Sequence, residues 1–228
     1  MRAMLGDRPA GLQVIIPAGP AEVSWRGLLE QLPPAWPVCI SAVEERPAGL
    51  PDRINWLQGP AGRGLQLNAA ASASRARWLW FLHADSILTE PALVQVQRLT
   101  CGTEAVLAYL DLAFLPDGPK QTALNAIGAN LRSRLLGLPY GDQGLCLPAE
   151  DFRRLGGFRT DLARGEDLDF VVRARAAGLP LRRLPARIYT SARRYREQGW
   201  WKTSWRHQVN AWRLTRAARA GRRRPESE

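Results

Sequence analysis

Trp78-Leu79-Trp80-Phe81-Leu82-His83-Ala84-Asp85-Ser86 is the stretch that decides how this chain is read. Five apolar residues in a row, Trp78 to Leu82, predict a strand buried on both faces. The triplet His83-Ala84-Asp85 falls where such a strand leaves its sheet. In open parallel sheets, ligands collect at the carboxyl ends of the strands. A carboxylate placed there can hold a divalent metal against a phosphate-bearing ligand. Asp85 would serve equally as a cap for a helix starting near Glu90-Pro91, so the rest of the chain must arbitrate.

Upstream, Leu12 to Ile16 is a short apolar run closed by Pro17 and reads as a first strand. Val23, Trp25, Leu28, Leu29 and Leu32 recur at helical spacing, which predicts a helix over Ala21 to Leu32 ended by Pro33-Pro34. Strands are expected at Val38 to Val43 and Ile54 to Leu57. Gly59-Pro60-Ala61-Gly62-Arg63-Gly64 then opens an Ala-rich helix over Leu65 to Arg75. A glycine-rich loop at a helix start suits an anion, because main-chain N–H groups and the helix dipole both favour phosphate. It lacks the Lys-Ser/Thr ending of a P-loop.

Downstream, a helix is expected over Pro91 to Leu99 and a strand over Ala105 to Leu115. Gln121 to Leu136 reads as an amphipathic helix with Leu124, Ile127, Leu131 and Leu135 on one face. Leu138 to Gly144 is a polar, glycine-flanked loop leading into Leu145-Cys146-Leu147. Helices are expected at Ala149 to Leu155 and Leu168 to Ala177. Leu181 to Leu184 and Arg187 to Thr190 are strand-like. Strands alternating with helices argue for an α/β fold with a mostly parallel sheet flanked by helices.

The 228 residues suffice for one large domain, and no run approaches the roughly 18 apolar residues of a membrane span. Met1 to Ala10 lacks an apolar signal core, which predicts a cytoplasmic protein. Cys39, Cys101 and Cys146 show no metal or redox spacing and are expected to be reduced. The net charge is +11, and residues 193–228 hold eleven Lys/Arg against three Asp/Glu, so +8 of it sits there. That divides the chain into a body, 1–192, and a basic helical C-terminal extension, 193–228. In the extension Trp201, Trp205, Val209 and Trp212 share one side of a helical pattern, with arginines around the rest. Trp on one face and Arg on the other suits a helix lying in a membrane interface. A Trp stripe packed on the body or on a second subunit is the alternative.

Asp85 at a strand end, the loop Tyr140-Gly141-Asp142-Gln143, and Glu166-Asp167 at a helix start together resemble a known family. It is the family 2 inverting glycosyltransferases of GT-A fold, and closest within it the bacterial radical-SAM/selenodomain-associated transferase subgroup. The matching stretches are Val14-Ile15-Ile16-Pro17, Gly62 to Ala69, Leu82 to Ser86, Tyr140 to Gly144, Leu155-Gly156-Gly157-Phe158, Glu166-Asp167-Leu168 and Thr190 to Arg194.

The resemblance implies a metal-dependent transfer of a sugar from a nucleotide-sugar donor to a hydroxyl acceptor. It places Asp85 at the last acid of the Asp-x-Asp metal motif, with Mg²⁺ or Mn²⁺, and His83 where the first acid stands. Arg63 and Asn68 match positions near the nucleotide. Asp167 matches the catalytic base, with Glu166 beside it. Tyr140, Asp142 and Gln143 are expected on the acceptor side of the cleft. Many relatives transfer sugars to lipid-linked acceptors, which would put the protein at the inner face of the cell membrane.

Two departures stand out. The second strand is followed by Val43-Glu44-Glu45-Arg46 with no Asp-Gly-Gly-Ser, and the acidic pair usual after the first strand is reduced to Glu22. Base recognition therefore has no motif here. A catalytically degenerate binding or scaffold module, and a nucleotidyltransferase, remain as alternatives. The latter would need a basic Gly-rich loop directly after the first strand, where Pro17-Ala18-Gly19-Pro20 stands. No nucleic-acid motif accompanies the basic extension, so no nucleic-acid partner is expected.

Overall fold

The structure is a computed structural model and describes residues 11–119, 121–162 and 164–192. The first half builds parallel strands with helical crossovers: β1 (Leu12–Ala18), α1 (Trp25–Gln31), β2 (Val38–Ala42), β3 (Ile54–Gln58), α2 (Arg63–Ala73) and β4 (Trp78–Phe81). The second half adds β5 (Ile87–Leu88), α3 (Glu90–Cys101), β6 (Leu107–Phe114) and α4 (Thr122–Leu131), which runs on into a π-helical turn, Arg132–Leu136. A 3₁₀ turn at Gly141–Gln143 leads to β7 (Cys146–Pro148), α5 (Ala149–Arg154), α6 (Glu166–Ala176) and β8 (Leu181–Thr190). All eight strands form one sheet in the order β3-β2-β1-β4-β7-β6-β8-β5. Only β7 and β5 run against the rest, so the expected α/β, mostly parallel sheet is present.

The all-apolar run of β4 has a direct physical reason. Successive side chains of a strand point to opposite faces. Trp78 and Trp80 join the core on one side of the sheet, with Ile16, Trp36 and Val38. Leu79 and Phe81 join the core on the other, with Leu67, Phe152 and Phe170. Trp80 packs edge-to-face on Trp36 at 6.0 Å between centroids, and its indole N–H donates to Gly144 O at 3.1 Å. Thr89 caps α3, its hydroxyl accepting from Ala92 N at 3.3 Å. Asp85 is therefore not consumed as that helix's cap.

Three expectations are modified, and one short strand is unanticipated. The first helix starts at Trp25, not Ala21; Ala21 has φ +56° and Val23 is exposed. The two strand-like pieces near the end are one strand, β8, because Pro185-Ala186 bulges out between the pairs Leu110–Leu184 and Asp111–Arg187. A proline has no N–H to give the ladder, and a bulge is where it is tolerated. The two-residue β5 carries no periodicity that a sequence could show. The helix predicted over Gln121 to Leu136 changes to π-helical from Arg132, and its apolar face points outward. Leu124, Ile127, Leu131 and Leu135 are 61%, 56%, 48% and 77% exposed, while Thr122, Ala126, Ala129 and Ser133 face in.

That inversion follows from what the helix covers. β7 is paired to β6 only at Ala108, which leaves the β6 edge beyond it without a strand. Amide side chains take its place. Asn130 accepts from Leu112 N at 2.8 Å and donates to Leu112 O at 2.9 Å, and Gln143 Nε2 donates to Leu110 O at 3.0 Å. Buried main-chain groups must be paired, so the inner face of α4 is selected for reach and polarity rather than for bulk.

Candidate active site

The carboxyl end of β4 faces the amino ends of two helices. α2 brings Arg63 as its first residue, and α6 brings Glu166 and Asp167. Carboxylates are favoured at a helix N-terminus and a cation is not, so Arg63 needs partners. It has them: Arg63 Nη1 lies 3.0 Å from Glu166 Oε1 and 3.8 Å from Asp167 Oδ2, and Nη2 meets His83 Nε2. The arginine of the glycine-rich loop, the histidine of the strand end and the two acids of α6 thus form one cluster.

Within it the two acids differ. The Glu166 side chain is 7% exposed and closed off by Arg63, whereas Asp167 is 14% exposed. Asp167 is oriented by two main-chain donors: Gly141 N at 2.6 Å to Oδ2 and Leu168 N at 2.8 Å to Oδ1. The first of these ties the 140–144 loop to α6. A Cβ built on Gly141 would collide with Arg63 Nη2 and stand 2.8 Å from Asp167 Oδ2, so only glycine lets the three groups meet. Asp85 is half-buried, and the Thr190 hydroxyl donates to its Oδ2 at 3.4 Å.

Asp142 sits in the same electrostatic neighbourhood. Its Oδ1 is inaccessible and has no hydrogen-bond partner. Burial, then the Asp167 charge, push its carboxyl up to about 6, with Asp85 adding to the rise and Arg132 and Arg63 opposing it. The native state thus holds this proton more tightly than the unfolded chain, and the penalty of the ionised carboxylate appears as pH rises from about 4 through 6. Asp142→Asn is accordingly expected to raise Tm by roughly 2–6 °C at pH 8 in EDTA. The gain should vanish at pH 4. Thermal unfolding at the two pH values checks this; an equal gain at both would contradict it.

Two predicted site residues are placed in supporting roles. Asn68 donates to Phe158 O at 2.7 Å and accepts from Phe158 N at 2.9 Å, clamping the Gly156-Gly157-Phe158 turn onto α2. Gln143 is fully buried; its Oε1 accepts from Tyr140 N at 3.0 Å and from Ser133 Oγ at 2.7 Å while its amide bonds β6. Tyr140 is half-buried under Arg132, whose guanidinium carbon lies 3.5 Å from the ring centroid. Sequence reasoning missed Arg132. It donates from Nε to Leu138 O at 3.0 Å, and its Nη2 is buried without a partner beside the loop. The only signal was a cation just before a polar loop. The acids near the first two strands are engaged locally: Glu44 accepts from Ala21 N at 2.7 Å and Glu22 from Ser24 N at 2.8 Å.

The acids of this neighbourhood offer oxygen, the donor a hard divalent cation takes. Asp85, Asp142, Glu166 and Asp167 outnumber Arg63 and Arg132 in it. Among the described residues no three His, Cys, Asp or Glu side chains form a ready-made cage, so a bound ligand would have to complete the coordination.

Comparison with solved structures places the architecture. The chain is similar to S. aureus TarS 1-349, with TM-score 0.61, 13% identity, and coverage of 79% of this chain and 60% of that one. The same protein in complex with UDP-GlcNAc matches with TM-score 0.60 and 15% identity over 79% of this chain and 58% of that one. The mannosyltransferase PcManGT from Pyrobaculum calidifontis, in complex with GDP-Man and Mn²⁺, matches with TM-score 0.56 and 16% identity over 81% and 57%. The fold is shared with these glycosyltransferases. The chain spans about three fifths of the length of each. No protein-family profile and no curated protein matches the sequence.

Proposed function

We propose that this chain is a metal-dependent, inverting glycosyltransferase of the family 2 type, allied to the radical-SAM/selenodomain-associated subgroup. The observation that carries the reading is the convergence of Arg63, His83, Glu166 and Asp167 beyond the carboxyl end of β4. A fold shared with proteins solved with UDP-GlcNAc and with GDP-Man and Mn²⁺ supports it.

In this reading Asp167 accepts the proton of the acceptor hydroxyl as that oxygen attacks the anomeric carbon. The bond to the diphosphate breaks on the opposite face, the configuration inverts, and the nucleoside diphosphate leaves. Glu166 holds Arg63, and Arg63 turns toward the diphosphate as negative charge builds there. Asp85, with His83 beside it, would hold Mg²⁺ or Mn²⁺, which would supply positive charge to the leaving group. Tyr140 and Asp142 border the acceptor; Gln143 and Asn68 keep the loops in place. The body 1–192 is the transferase unit. The basic extension 193–228, which lies outside the described residues, brings it to the inner face of the membrane as a peripheral protein acting on a lipid-linked acceptor. Among the described residues no helix is long and apolar enough to cross a membrane.

Thermal shift against a panel of nucleotide-sugars with Mn²⁺ tests the reading and identifies the donor base. One donor is expected to stabilise the protein in a metal-dependent way. Asp85→Asn should remove that shift while leaving the unliganded Tm unchanged. Retention of the full shift by the variant would refute the assignment of Asp85.

A further inference from the structure

The apolar stripe of α4 and its π-helical turn is unpartnered in the described structure. Leu124, Ile127, Leu131 and Leu135 stand on one outward face over about 16 Å of helix, and Leu136 beside them is 57% exposed. Large exposed apolar faces on a soluble fold mark contacts.

The surrounding charge says what kind. From Pro119 to Tyr140 the sequence has Lys120, Arg132 and Arg134 and no Asp or Glu. Arg175 reaches the end of the stripe, donating to Leu136 O at 2.6 Å. Asp111, beside this rim, is held by two cations, Arg134 at 2.9 Å and Arg183 at 2.5 Å. Leucines flanked by an excess of arginine complement an anionic, apolar-cored surface.

The path of the chain points the same way. Ser191 Oγ and Ala192 N both donate to Asp117, at 2.6 and 2.7 Å, and Ala192 lies against Gly118. Residues 193–228 therefore leave the described fold four positions before α4 begins, carrying their Trp residues and a net charge of +8. That segment and the leucine face bear the same sign of charge. They suit a common anionic partner better than they suit each other.

We propose that the outer face of α4 and its π-helical turn docks onto an anionic lipid bilayer, with Leu131 and Leu135 entering the headgroup boundary. The stripe ends at Leu136, four residues before Tyr140, so docking would present the acceptor loop to the membrane. This last consequence rests on the transferase reading. The docking itself is measured without donor or turnover, so either can fail alone.

The test uses the full chain. Flotation with phosphatidylcholine vesicles containing phosphatidylglycerol, at low and high salt, gives the bound fraction. Leu131→Gln/Leu135→Gln should lower partitioning on the order of tenfold at unchanged Tm, since both side chains are exposed. A second readout places an environment-sensitive NBD label at Leu135→Cys in a Cys101→Ser background; Cys39 and Cys146 are buried. The label should shift to the blue with anionic vesicles and be quenched by nitroxide-bearing lipid. Equal flotation of parent and double variant overturns the proposal. So does a label already shielded before vesicles are added, which would mean that the chain's own extension or a second copy covers the face.

Discussion

Asp167→Asn is expected to lose turnover by on the order of 10²–10⁴ while donor affinity stays within a few-fold of the parent. The asparagine keeps the shape that Gly141 N and Leu168 N address, and with its one carbonyl oxygen turned to Gly141 N it keeps the tie to the 140–144 loop while giving up the hydrogen bond from Leu168 N. It also loses the capacity to take a proton, and that is the larger loss. Arg63 retains its closer partner, Glu166 at 3.0 Å, so the anion-binding half of the cluster should survive. Single-turnover transfer with the donor identified by thermal shift, beside a binding isotherm for that donor, separates the two quantities. Equal loss of both would make Asp167 part of the donor site instead. Glu166→Gln supplies the contrast. It weakens the charge that restrains Arg63, so its larger effect should fall on donor affinity.

The general outline of this fold is legible because its signals are redundant. β4 is buried on both faces, so all its residues are apolar, and the polar residues at its end stand out by contrast. Glycine and proline mark the loop that opens α2 and the turn at 116–119 that follows β6. The same logic misleads at α4. A leucine stripe at helical spacing normally faces a core. Here the core-facing side is Thr122, Ala126, Ala129 and Ser133, because the helix covers a strand edge whose N–H and C=O groups need Asn130 and Gln143. Nothing in the local sequence shows that β7 will be too short to pair that edge.

The site shows a similar division. Residues that meet through element ends, Arg63, His83, Glu166 and Asp167, were identifiable one by one, since each sits at a strand or helix terminus. Their mutual pairing was not, because it depends on three loops of unrelated sequence arriving together. Asn68 and Gln143 lie inside stretches that carry the family resemblance. Their amides are spent on main-chain groups, at Phe158 and at Leu110 and Tyr140. A match in such a stretch can mark a loop that must keep its shape as readily as a side chain that touches a ligand. Arg132 is the converse case, a cation at the cleft that no motif announced.

Gly141→Ala is expected to cost about 10²-fold in turnover at a modest loss of stability. The φ angle of Gly141 lies outside the left-handed region, so alanine can adopt the backbone without strain. The penalty is steric and local. The new methyl would press on Arg63 Nη2 and on Asp167, 2.8 Å from Oδ2 and 3.3 Å from Cβ. The guanidinium is the far end of a flexible side chain and can swing aside; the Asp167 Cβ is fixed in the first turn of α6 and cannot. Relief must therefore come from the 140–144 loop moving away, which lengthens the 2.6 Å hydrogen bond from Gly141 N and frees the carboxylate it holds. Misplacing a reacting group by about 1 Å is sufficient for a loss of this size. Overpacking by one methyl costs roughly 1–3 kcal/mol, or a fall in Tm of about 2–10 °C. Gly128→Ala is the matched control: it meets nothing within 4 Å in the middle of α4 and should leave turnover unchanged with Tm equal or slightly higher. Turnover within twofold of the parent in Gly141→Ala would show that Asp167 does not need its main-chain anchor, and the assignment of that carboxylate as the base would lose its geometric support.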